Sequence, residues 1–270
     1  MIKLDQEGDF AIRASASVTP QLISGYGVLS YNPTKASSQN IPEPRNQALS
    51  YGGETIQGFT ELDPMTLKAY PSTLVPPQTA NKTIFLELYR LNSLEWSMNT
   101  HPFAPFLELV EPLMFNPSNA KHLNQSLVPS YPLGTTVDVV LQLNPGNPKH
   151  PLHKHGEKAW IIGQGPGTFT WPDVASAMQE HPEYFNLKRT PYRDGFHTPS
   201  SVPSATWMVI RYVAHEQSVT FFHCHINIHS VGGMAVALME GMATAPTNIP
   251  QYYIDWDRAA ARAKGSKKEK

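Results

Sequence analysis

FFHCHINIHSVGGMAVALMEG, residues 221–241, holds the only cysteine of the 270-residue chain. Cys224 has His223 and His225 as neighbours, His229 five positions on and Met234 ten positions on. SVTFFHCHI before the loop and MAVALMEG after it read as short strands rich in β-branched and aromatic residues, with Gly232 and Gly233 easing the return between them. Successive side chains on a strand point to opposite faces, so His223 and His225 share one face and Cys224 takes the other. A second dense stretch, KHPLHKHGEKAWIIGQG (149–165), repeats the arithmetic. His153 and His155 share a face there, and His150, three positions earlier, falls on the opposite one if the backbone stays extended through Pro151.

Two sites follow from this parity. The first gathers His150, Cys224 and His229, with Met234 as a distant fourth ligand. Two imidazoles and a thiolate in trigonal array with a weak thioether are the ligand set of a blue-copper electron-transfer site. Zinc is the alternative metal, and the thioether suits copper better. A nucleophilic cysteine activated by a neighbouring imidazole is the alternative chemistry, but adjacent residues on a strand face apart, so His223 and His225 are badly placed as its base. The second site gathers His153, His155, His223 and His225, four imidazoles facing outward. They either bind metal against another protein surface or form a solvated patch. The peptide bonds joining Cys224 to His223 and His225 make a short covalent path between the two sites.

Outward from these motifs the same kind of strand recurs. IFLELYRL (84–91), EWSMN (95–99), TTVDVVLQLN (135–144), KAWIIGQG (158–165) and TWMVIRYV (206–213) are short, apolar and punctuated by Gly, Pro and Asn. The expected class is all-β, a Greek-key β-sandwich or barrel, with one short helix on PDVASAMQEHPEYF (172–185). FAIRASASV (10–18) and YGVLSY (26–31) read as a separate strand pair. The expected organisation is residues 1–35 as closing strands of a preceding domain, 36–80 as an irregular connection, 81–250 as the main β domain and 251–270 as a basic tail. A net charge of −1 gives no steering toward nucleic acid or an anionic membrane. One cysteine excludes an intrachain disulfide, and no apolar run reaches the ~18 residues of a membrane-spanning helix. The first residues, MIKLDQEGDFAIRASASV, lack a signal-peptide pattern, although Asn81 and Asn124 sit in glycosylation acceptor sequences that matter only in a secreted protein.

HPLHKHG and HCHINIHSVGGM resemble the third and fourth copper-binding motifs of the multicopper oxidases, the family of laccases, ascorbate oxidases and ferroxidases. The strand around Trp96 and the TWMVIRY strand resemble the family's last cupredoxin domain, and IRASASV with GVLSY the closing strands of the domain before it. The resemblance is to ascomycete oxidases of laccase and ascorbate-oxidase type, used in pigment and secondary-metabolite pathways. It implies a type 1 copper held by His150, Cys224, His229 and axial Met234. It further implies His153 as a type 2 ligand and His155, His223 and His225 as type 3 ligands, with electrons passing from Cys224 through its histidine neighbours. The implied activity is one-electron oxidation of a small reducing substrate, phenols ranked first, coupled to four-electron reduction of O₂ to water. Full-length relatives are expected to be secreted or at the cell surface.

The sequence also departs from the family. Members carry four further histidines in HWHG-like and HSH-like motifs of a first domain, and neither motif is present. His101, His122, His181, His197 and His215 are scattered singly and do not replace them. The trinuclear centre is therefore half encoded, which reads as a C-terminal fragment or truncated gene model, or as a chain that meets a partner bearing the missing domain. VTFFHCHI also lacks the NPG-like turn usual before this motif. The rival reading is a type 1 electron-transfer cupredoxin without oxidase activity, which needs only the first site. Glu157, beside the histidine cluster, carries no assignable role in taking a substrate proton.

Overall fold

The structure is a computed structural model that describes residues 8–15, 24–31, 55–59, 62–103, 112–246, 249–255 and 258–259. The chain divides into two compact units, Met1–Pro64 and Met65–Lys270. In the first, β1 (Gly8–Ser15) and β2 (Ser24–Tyr31) pair antiparallel along their whole length. Ile12, Tyr26 and Leu29 stand exposed on this ribbon, and a two-stranded ribbon alone is marginal in water. The turn between these strands and residues 36–54, 60 and 61 of the expected 36–80 connection lie outside the described residues.

The second unit is a sandwich of two sheets. One sheet runs in the order β4 (Trp96–Met98), β3 (Lys82–Arg90), β6 (Thr136–Leu143), β11 (Thr206–Val213), β8 (Ala159–Pro166), β9 (Tyr192–Arg193). The other runs β10 (Gly195–His197), β7 (Pro151–Lys154), β12 (Ser218–Cys224), β13 (Ala235–Glu240), β5 (Ser130–Tyr131). Pairing is antiparallel except for β3 with β6 and β13 with β5. The sheets meet face to face over one core that includes Leu86, Leu88, Val139, Leu141, Ile161, Ile210, Phe222 and Leu238. Removal of this apolar surface from water is what holds the sandwich shut.

The expected short helix is α1 (Val174–Glu180), begun by Asp173, whose carboxylate accepts the Ser176 N–H at 2.7 Å. It covers the outer face of the six-stranded sheet through Val174 and Ala177 against Trp207 and Val209. Residues before 81 also belong to this unit. Arg211, fully buried, forks onto both Asp138 oxygens at 2.6 and 2.8 Å and gives a third bond to the Pro77 carbonyl at 2.7 Å. Burial pulls the Asp138 pKa up, and the guanidinium opposes that shift. Residues 251–255 form a helical turn, and most of the expected basic tail lies outside the described residues.

Candidate metal centre

β12 places the centre of the site. Its inward side chains are Thr220, Phe222 and Cys224, all buried, while Phe221 and His223 are only partly covered. β7 alternates in the same way, with Leu152 and Lys154 buried and His153 partly exposed. His150 keeps this alternation across Pro151 and is fully buried. Its backbone is held from both sides by Thr198, whose hydroxyl accepts the His150 N–H at 2.9 Å while the Thr198 N–H donates to the His150 carbonyl at 3.0 Å. Between Cys224 and β13 the chain makes one helical turn, α2 (Asn227–Val231), with His229 in its last turn. Gly233 follows at φ +106°, a left-handed conformation that glycine adopts without strain. The loop is then closed by the Met234 N–H on the His229 carbonyl at 2.9 Å and the Cys224 N–H on the Met234 carbonyl at 3.0 Å.

His150, Cys224 and His229 converge as a result, and among the described residues they are the one group of His, Cys or acidic side chains gathered at metal-binding spacing. The Cys224 Sγ lies 3.8 Å from His150 Nδ1 and 3.7 Å from His229 Nδ1, and the two Nδ1 atoms are 3.3 Å apart. Bonds of about 2.0 Å to nitrogen and about 2.3 Å to sulfur, set 120° apart in a plane, give separations of about 3.5 Å (N–N) and about 3.7 Å (S–N). The three atoms therefore fit one metal ion in a trigonal plane. Met234 is fully buried at the head of β13. Burial pushes the Cys224 thiol up to about 11 and brings His150 and His229 down to about 4, with His229 a lesser cause for His150 and Arg90 a lesser cause for His229. A thiol held protonated in this way is a poor free nucleophile, whereas neutral imidazoles are ready ligands.

Trp96 forms one wall of this site. Its ring stacks on His229 at a centroid distance of 3.8 Å and meets His150 edge-on at 5.5 Å. The Arg90 guanidinium sits 5.5 Å from the Trp96 ring on the same side of the domain. The Trp96 backbone N–H donates to the Gly232 carbonyl at 3.0 Å, tying the β3–β4 hairpin to the histidine loop. Sequence reasoning placed Trp96 on a strand but not over the imidazole, because that contact joins distant segments without a local signature.

His153, His155, His223 and His225 come together on the opposite face of the five-stranded sheet, with neighbouring ring centroids 4.9 to 6.1 Å apart. His153 and His223 are directly opposed across β7 and β12. The His153 Nδ1–H donates to the Asp194 carbonyl at 2.9 Å, and the His223 Nδ1–H to the Cys224 carbonyl at 2.9 Å. Carbonyl acceptors on Nδ1 put the lone pair of His153 and His223 on Nε2, which is how outer hydrogen bonds fix the tautomer of metal-binding imidazoles, and His223 Nε2 meets His155 Nε2 at 3.1 Å. Desolvation first, then the neighbouring imidazoles, lower the pKa of His155, and His223 is likewise lowered mainly by desolvation. Unlike the buried triad, these four do not close around a single point. Of the singly placed histidines, His101, His122, His197 and His215 are exposed, and His181 pairs with Glu183 and stacks on Tyr184. Glu157 accepts the His215 backbone N–H at 2.9 Å.

A cupredoxin-type sandwich with a buried Cys–His₂ triad and an outward histidine face defines the class. The sequence profile of the multicopper oxidases matches residues 92–243, and the chain belongs to that family. It is 34% identical to Laccase-1 of Emericella nidulans over 90% of its own length and 44% of that protein's. It is likewise 34% identical to Laccase 1 of Metarhizium anisopliae, covering 94% of the chain and 44% of the relative. The chain thus spans less than half the length of these curated relatives. The crystal structure of a laccase from Botrytis aclada superposes over 89% of the chain and 41% of its own, with TM-score 0.59 at 19% identity, a likeness of fold. Family membership implies copper. No helix among the described residues is long and apolar enough to cross a membrane.

Proposed function

We propose that this chain supplies the last cupredoxin domain of a laccase-like oxidase, with a complete type 1 copper site and half of a trinuclear centre. The observation that carries the reading is the triad of Cys224 Sγ and two Nδ1 atoms at separations that one trigonal metal fills. Bound copper would supply the one-electron chemistry and the reduction of O₂ that organic side chains lack. His150, Cys224, His229 and Met234 would hold the type 1 copper. His153 is assigned to the type 2 position and His155, His223 and His225 to the type 3 pair. Cys224 links the two sites through its peptide bonds to both histidines, and the His223 Nδ1–H bond to the Cys224 carbonyl adds a second short route. Trp96 and the β3–β4 hairpin keep water from the buried imidazoles. The remaining trinuclear ligands come from a first domain in a longer chain or on a partner, and the donor is a small reducing aromatic, phenols foremost. Secretion of the complete protein belongs to the same proposal.

An electron carrier would need the buried triad alone, and the outward histidine face has no use in it. The test is copper content, visible absorption and O₂ uptake with a diphenol, measured on the chain alone and after addition of a first cupredoxin domain. The expected result is one tightly held copper with an intense copper–thiolate band and no O₂ uptake alone, and O₂ uptake once the domain is added. A chain that takes copper without a thiolate band would sink the type 1 assignment.

A further inference from the structure

Behind the histidine face the core holds a polar knot. Lys154 and Glu240 are both fully buried and form an ion pair at 3.0 Å. Lys154 stands between His153 and His155 in sequence and points inward where they point outward. Glu240 Oε1 also accepts the Thr220 hydroxyl at 2.9 Å and the Tyr131 hydroxyl at 3.4 Å. The Lys154 ammonium lies 4.4 Å from the Tyr212 ring centre and donates to the His155 carbonyl at 3.2 Å. One carboxylate oxygen therefore gathers donors from β7, β12 and β5 while itself riding on β13. Those are four adjacent strands of the sheet, and three of them deliver residues of the thiolate site: His150 precedes β7, Cys224 ends β12 and Met234 precedes β13.

Resting on the type 1 reading, we propose that Lys154 and Glu240 are positioning residues that fix the register of β7, and with it the place of His150 against Cys224 and of His153 against His223. A buried ion pair is weak evidence for stability, since desolvation offsets most of its Coulomb gain; its best-attested use is to specify one arrangement. β7 needs such a device. It is four residues long and pairs over three positions each with β12 and with the three-residue β10. Hydrophobic alternation rejects a one-residue slip because that would turn every side chain over, but a two-residue slip keeps each on its own face. Leu152 would then stand where Lys154 stands, and His150 would move by about 6–7 Å along the strand, at about 3.3 Å per residue. Ladder bonds to β12 and β10 can re-form in the slipped register with the apolar faces still matched, and the Thr198 bonds to His150 are two neutral hydrogen bonds against it. Glu240 discriminates strongly, because the slipped strand leaves its carboxylate buried without a counter-charge.

The experiment uses the full chain and the double variant Lys154→Met with Glu240→Leu, which removes both charges at similar volume. In the metal-free protein, NMR contacts between the His153 and His223 backbones report the register. In the same samples, Cu(II) titration followed by the thiolate band reports the site. The expected result is a variant that still unfolds cooperatively, shows a second set of cross-strand contacts for β7, and binds Cu(II) about 10- to 100-fold more weakly, the usual effect of losing an outer-shell support. A variant with the native contacts as its single set and wild-type affinity would overturn the proposal. So would a variant that no longer folds, because the pair would then hold the fold as a whole and not the register. If the unmodified chain shows no thiolate band, the type 1 reading falls, while the metal-free contacts still decide the role of Lys154 and Glu240.

Discussion

The residue that commits the site is Cys224. A Cys224→Ser variant should lose the copper–thiolate absorption altogether, as read in the visible spectrum of the copper-loaded chain, because a hydroxyl supplies no thiolate. Met234→Leu should keep the copper and change its reduction potential, and an unchanged potential in a redox titration would remove Met234 from the axial position. The two buried imidazoles carry a cost of their own. Folding lowers His150 and His229 from 6.5 to about 4, so between those values the unfolded chain binds more protons than the folded one. Their neutral burial is tolerated in full above about pH 6.5, and stability is lost progressively as pH falls from about 6.5 to about 4. Thermal unfolding of the metal-free chain across this window should show a falling midpoint, and the fall should shrink in a His150→Gln variant. Copper binding has the opposite requirement at sulfur. With the thiol raised to about 11, metal must displace a proton at neutral pH, and copper affinity should rise with pH.

At the scale of elements, the strands that carry the ligands were legible because their two-residue period is printed in the sequence: HCH and HKH alternate across β12 and β7 as pleated backbone demands. α1 was expected within PDVASAMQEHPEYF (172–185), and the structure begins it at the Asp173 cap. α2 was not, since NIHSV has no side-chain cap and is defined by the loop that closes on Met234. Short β5, β9 and β10 are two or three residues each and exist through their neighbours, which no local pattern records. The triad was readable from ligand chemistry, but the Trp96 stack and the Lys154–Glu240 pair were not, because each joins segments far apart in sequence. Gly232 shows how closely such segments meet. A Cβ there would lie 2.3 Å from the Leu94 carbonyl and 2.9 Å from the Ile228 carbonyl, both backbone. Gly232→Ala should therefore push α2 off the β3–β4 hairpin, costing about 1–3 kcal/mol as an overpacking change. Copper affinity should fall with it, checked by thermal unfolding and Cu(II) titration of the same sample.

For the whole molecule, the buried triad closes at metal-binding spacing and, among the described residues, the outward histidines do not. Copper stoichiometry should follow that division: about one equivalent bound tightly by the chain alone, and more only when a domain bearing complementary histidines is present, measured by metal analysis after desalting. The sandwich itself explains how one strand serves both sites. β12 turns Cys224 into the core and His223 out of it, one peptide bond apart. Consequently the two sites form a single hereditary unit. Substitutions elsewhere can retune either one, but inserting or deleting a single residue between Phe221 and His225 would exchange inside for outside and abolish both at a stroke, so this short segment has no freedom to change its length.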